Sequence, residues 1–181
     1  MHAHRQFALA LSLLLAAPAA AGAQAAAKAA PKADPAIAAI RDQWRQVTGF
    51  VSKAADQMPE ADYTFRPIAT VRTFGQLAAH VAGAQASICA AALGEKGAAE
   101  DAVEKGPMTK AAITKALKES SAICERAYAQ GMSDAVKSTT LFGQPSTRMA
   151  AMALNAVHNG EHYGNIVTYF RMKGMVPPSS Q

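Results

Sequence analysis

His158 and His162 stand four residues apart in a segment of helical spacing, and His80 stands in an earlier one. On an α-helix that spacing puts two imidazoles on one face, one turn apart. Such a pair can grip one metal ion, and a third imidazole from a neighbouring helix can close a three-histidine site. The chain has five histidines, and the other two, His2 and His4, lie in a segment expected to be removed. The constellation then holds every histidine of the mature chain. The competing reading is a metal-free polar cluster satisfied by hydrogen bonds.

Three neutral imidazoles around a zinc-like ion leave a fourth position for water or substrate. An ion held this way lowers the pKa of bound water to about 7, or activates a thiol by binding it as thiolate. Each imidazole also needs an oxygen to accept its second ring N–H. Gln76, one turn before His80, is a candidate for that role, as are Asn155 and Asn159 near His158. Glu161 invites comparison with the general base of H-E-x-x-H, but there the glutamate directly follows the first histidine. Here Glu161 directly precedes the second, so a surface carboxylate is the plainer reading.

The elements that must position these groups read as helices. Half the residues are hydrophobic and only 6% aromatic, with alanine dominant, which favours helix over sheet. Asp34 followed by Pro35 has the form of an N-cap and a first helical position. Ile37, Ile40, Trp44, Val47, Val51, Ala54 and Met58 then recur at helical spacing until Pro59. Residues 59–72 form a connection. Thr73 and Gln76 have the form of a capping box, opening a second helix with Phe74, Leu77, Val81, Ala84 and Ile88 on one stripe and His80 at its edge. Residues 93–107 form a second connection, long for a simple helical hairpin and able to carry the chain from one end of a bundle to the other. Thr109 can cap a third helix, running to about Gln130, and Ser146 or Thr147 a fourth, stopping at Gly174. Four helices and no convincing strand make an all-α four-helix bundle. The fourth helix is anomalous, because Asn155, Asn159 and His162 share a stripe with Met152, Ile166 and Phe170. A core face holds that many polar groups only if each is satisfied. A bound metal or a water-filled pocket would explain them.

Residues 1–23 read as a secretory signal: a basic start, an apolar core over residues 7–21, and Ala21-Gly22-Ala23 as the cleavage pattern. The apolar run falls short of the roughly 20 residues of an ordinary bilayer span. The expectation is export, to a bacterial periplasm, with no stable membrane anchor afterwards; an uncleaved anchor is the alternative. Residues 24–34 are low-complexity and read as a disordered linker, which leaves residues 35–178 as the folded domain. The formal charge of +5 is scattered among both signs, with no basic run, which argues against nucleic-acid binding.

Two segments resemble the DinB/YfiT-like family of helical bundles. One is residues 72–82, from Arg72 through His80, where the family places a single histidine on its second helix. The other is His158-Asn-Gly-Glu-His162-Tyr-Gly-Asn-Ile, followed by Gly174 and Pro177-Pro178, where the family places H-x-x-x-H and a glycine- and proline-rich end. Residues 63–67 look like the family's connecting loop, and the likeness spans roughly residues 36–178. The resemblance implies a four-helix bundle whose second and third helices run parallel through a long crossover. It also implies a divalent metal, commonly zinc or nickel, on His80, His158 and His162. Many members carry His-Arg-Gly-Gln where this chain has Tyr163-Gly164-Asn165 after His162. The better understood members are cytoplasmic thiol-dependent transferases, whereas this chain reads as exported.

With parallel second and third helices, Cys89 and Cys124 fall at nearly equal depth and are expected to form a disulfide, which export permits. Two buried free thiols are the alternative. Tyr63, Trp44, Phe65 and Tyr163 are available to line a pocket, with core packing the plainer role for Trp44 and Phe65. The functional expectation is a metal-dependent hydrolase or group transferase acting on an unidentified small molecule. The alternatives are a non-catalytic metal-binding or stress-related protein and a plain helical interaction domain. Dimerisation suits a bundle of this kind, but no sequence feature demands it.

Overall fold

The computed structural model describes residues 34–181. The expected signal segment, residues 1–23, and all of the linker but Asp34 lie outside the described residues. Among the described residues four long helices carry the fold: α1 (Pro35–Gln57), α2 (Phe74–Leu93), α3 (Lys110–Tyr128) and, after a single turn α4 (Met132–Ala135), α5 (Arg148–Met172).

Each long helix begins at the expected cap. Asp34 accepts from the Ala36 N–H beside Pro35, Thr109 from Ala112, and Thr147 from Ala150. Thr73 and Gln76 form the full capping box of α2. Each such cap contributes about 1 kcal/mol. Gly94 closes α2 in the left-handed conformation, and Gly174 does the same just beyond α5.

Side-chain pairings fix the helix directions. Gln85 meets Ser120, and Cys89 meets Cys124, so α2 and α3 run parallel. Phe74 packs near Phe170, and Gln85 bonds Asn159, so α2 and α5 run antiparallel. Thr48 bonds Asn159 and Phe50 stacks on Tyr163, so α1 and α5 run parallel. The connection between α2 and α3 therefore traverses the length of the bundle, as the family resemblance implied. The α2 helix is long and apolar enough to span a bilayer, yet most of it is packed inside the bundle, where it serves as the central core helix.

One element departs from the all-helical expectation. Within the last connection, β1 (Ser138–Leu141) and β2 (Gln144–Thr147) form an antiparallel hairpin. Phe142 and Gly143, both at positive φ, make its two-residue turn. The strands are four residues each, too short to show alternation, and Pro145 argues against a strand in sequence. Thr139 anchors the hairpin by donating to the Ala91 carbonyl.

The apolar core falls into two clusters. One gathers around Phe74, Leu77, Ile113, Ile166 and Phe170. The other gathers around Trp44, Ile88, Tyr128, Met152 and the Cys89–Cys124 disulfide, whose Cα atoms are 5.0 Å apart. Trp44 stacks on Tyr128, and Phe65 meets the edge of Tyr169, so both serve the packing.

Candidate metal centre

His80 projects from α2, and His158 and His162 from the facing side of antiparallel α5. The Nε2 atom of His158 lies 3.3 Å from Nε2 of His80 and 3.1 Å from Nε2 of His162. One ligand nitrogen from each residue falls within 4.8 Å of both others. Three nitrogens bound tetrahedrally to one ion at about 2.0–2.1 Å stand about 3.3–3.4 Å apart. The cluster thus has nearly the dimensions of a bound set.

The proton inventory points the same way. His80 Nδ1 lies 2.8 Å from Glu104 Oε1, so its N–H donates there and leaves Nε2 with a free lone pair. One proton on His158 Nε2 would serve only one of its two neighbours well. A cation satisfies all three nitrogens together. Burial, followed by the neighbouring imidazoles and Arg72, pushes the His162 pKa down to about 4. Burial also lowers that of His158. Both rings are therefore neutral at pH 7 and offer lone pairs.

Support for His80 comes from the crossover between α2 and α3. Arg72 Nε donates to Glu104 Oε2 at 2.9 Å, while Glu104 Oε1 accepts from His80. Burial alone would raise the Glu104 pKa, but hydrogen bonds from Arg72 and His80 outweigh it and hold the carboxyl below its usual range. Tyr169 donates to the Arg72 carbonyl at 2.5 Å and so fixes the backbone that carries the guanidinium.

The polar residues expected to support the imidazoles divide between the site and the rest of the fold. Asn159 lies alongside, its Oδ1 3.4 Å from His158 Nδ1. Its Nδ2 donates to Thr48 Oγ1 and Gln85 Oε1, which fixes the amide. Gln76 is a correction: its side chain accepts from the Thr73 N–H, because the free donors at the start of α2 claim it. Glu104 takes the place expected of it. Asn155 is another correction. It points at the disulfide, with Nδ2 3.3 Å from Cys89 Sγ and 3.3 Å from the Tyr128 hydroxyl. Glu161 is exposed on the rim.

Two openings flank the histidines. A cavity of about 550 Å³ has His162 in its wall, together with Ile68, Val71, Leu77, Asn165 and Tyr169. An opening of about 380 Å³ on the His80 side is lined by Arg72, Glu100, Asp101 and Glu104. None of Tyr63, Trp44, Phe65 and Tyr163 lines either one. The acidic residues of the crossover escaped the sequence reading, since a carboxylate in a polar loop carries no periodic signal. The clue available was the length of the connection, which obliges it to pass over α2.

A family model described as the DinB superfamily matches residues 43–166, and the chain belongs to that superfamily. Among solved structures, a DinB-like protein from Bacillus cereus ATCC 10987 superposes with a TM-score of 0.66 at 18% identity, covering 78% of this chain and 95% of its own. A DinB-like protein from Bacillus subtilis gives 0.62 at 18% identity, covering 79% and 98%. These likenesses establish the fold. No curated protein matches the chain significantly.

Proposed function

We propose that the protein binds one divalent metal ion, zinc or nickel, through His80, His158 and His162, and uses it as a hydrolase or group transferase on a small molecule. The observation that carries this reading is the convergence of three ring nitrogens within 4.8 Å of one another, two of the pairs at 3.1 and 3.3 Å, beside a cavity of about 550 Å³. Nitrogen donors of this type suit zinc and nickel over calcium or magnesium, which prefer oxygen. A bound ion of this kind supplies Lewis acidity and lowers the pKa of a ligand in its remaining position.

The chain's own residues do the rest. Glu104 keeps His80 in the tautomer whose Nε2 faces inward, and Arg72 keeps Glu104 ionised. Ile68, Val71 and Leu77 give the cavity beside His162 an apolar wall, while Asn165 adds a polar group that can orient a substrate. The Cys89–Cys124 disulfide supports export to an oxidising compartment such as the periplasm. Such a compartment disfavours a reduced-thiol co-substrate, which favours hydrolysis over thiol transfer. The test is a hydrolase substrate screen of the metal-loaded protein beside a His158→Ala/His162→Ala variant. Turnover that needs both metal and histidines supports the enzyme reading. Stoichiometric metal binding without turnover on any ester, amide or phosphoester would favour a non-catalytic metal-binding protein.

A further inference from the structure

We infer that Glu100, on the crossover between α2 and α3, is a fourth protein ligand of the centre and holds the metal's remaining position until a substrate displaces it. This rests on the three-histidine metal reading and extends it to a residue outside the helices.

The His80 ring is bracketed by two carboxylates from one loop. Glu104 Oε1 lies 2.8 Å from Nδ1, and Glu100 Oε1 lies 3.7 Å from Nε2, the nitrogen that faces the other histidines. A carboxylate oxygen on the same tetrahedral ion would stand about 3.3 Å from that nitrogen, a few tenths of an ångström closer. Glu104 already has partners in His80 and Arg72, whereas Glu100 makes no other ion pair among the described residues. Its side chain is 39% exposed, and ligation would turn it toward His158 and His162.

The loop backbone is seated tightly enough for this to be a built contact. A Cβ at Gly83 would stand 2.1 Å from the Glu100 carbonyl oxygen, so only glycine lets the loop rest on α2 at this level. Gly83 lies one turn beyond His80, which sets Glu100 over the histidine. The charges agree as well. Three neutral imidazoles leave a divalent ion with its full charge, and one carboxylate halves it. Three nitrogens and one carboxylate oxygen form a set zinc accepts.

The test uses Co²⁺ as a spectroscopic probe, titrated into the full chain and followed by its visible absorption. The expected result is that Glu100→Gln shifts the Co²⁺ bands and weakens binding by at least about tenfold, the lower end of what support residues of metal sites contribute. Asp101→Asn, which removes the same charge from the same opening, is expected to leave the bands unchanged. Unaltered bands and affinity in Glu100→Gln, with binding abolished in His80→Ala, would overturn the assignment and leave the three-histidine centre standing. Weaker binding with unaltered bands would also overturn it, since charge alone produces that. A wild type that takes up no Co²⁺ would remove the metal reading and this inference with it.

Discussion

Glu104 Oε1 accepts a hydrogen bond from His80 Nδ1 at 2.8 Å, and this contact across the crossover ties the loop to the centre of the bundle. It selects the tautomer that presents Nε2 to His158 and His162. Removing such a partner weakens metal binding by about 10–100-fold. Glu104→Gln should therefore lower affinity by that order, while His80→Ala abolishes stoichiometric binding. Competition against a chelator of known affinity measures both. Equal affinity in Glu104→Gln and wild type would show that the carboxylate does not support the ligand.

The disulfide joins α2 to α3 at a sequence separation of 35. Closing a loop of that size restricts the unfolded chain by about 3–4 kcal/mol on the chain-entropy model. A Cys89→Ala/Cys124→Ala variant is expected to lose about that much in urea unfolding, and the wild type to lose a similar amount on reduction. The double variant should be insensitive to reductant.

Gln85 joins α1, α2, α3 and α5 through its amide. Its Oε1 accepts from Trp44 Nε1 and Asn159 Nδ2, while Nε2 donates to Ser120 Oγ at 2.7 Å. Gln85→Leu would strand two buried donors, each costing about 1–3 kcal/mol. A loss of about 2–6 kcal/mol in denaturant unfolding is expected. Metal affinity should also fall, because Asn159 loses a partner beside His158.

The histidines make the metal-free protein acid-sensitive. His162 titrates near 4 when folded, because it is buried among other imidazoles, and near its ordinary value of 6.5 when unfolded. Between those values the unfolded state holds more protons, so stability is lost as pH falls from about 6.5 toward 4. Each such group contributes at most about 1.4 kcal/mol per pH unit. Chelator-treated wild type should lose more stability than His162→Gln between about pH 7 and about pH 5. Identical losses would place the His162 proton equilibrium elsewhere.

Much of this arrangement was legible in the sequence because it rests on local signals. The caps at Asp34, Thr73, Thr109 and Thr147 are short-range hydrogen bonds, and the stripe through Trp44, Val51 and Met58 is a periodicity. The histidine set was legible from its spacing together with the family order. The sequence did not reveal which polar group serves which partner. Gln76 is claimed by its own helix terminus, and Asn155 by the disulfide. Glu104 reaches His80 from 24 residues away in the chain, through a loop whose path depends on the whole bundle. The hairpin at residues 138–147 went unseen for a related reason. Its turn places Phe142 at positive φ, a conformation phenylalanine seldom adopts.

The most direct measurement is the metal content of the purified full chain, set beside that of a His158→Ala/His162→Ala variant after both are stripped and reloaded with zinc or nickel. The expected result is one equivalent of metal per wild-type chain and none in the variant. A wild type that retains no metal after reloading, or a variant that retains as much, would contradict a three-histidine metal centre.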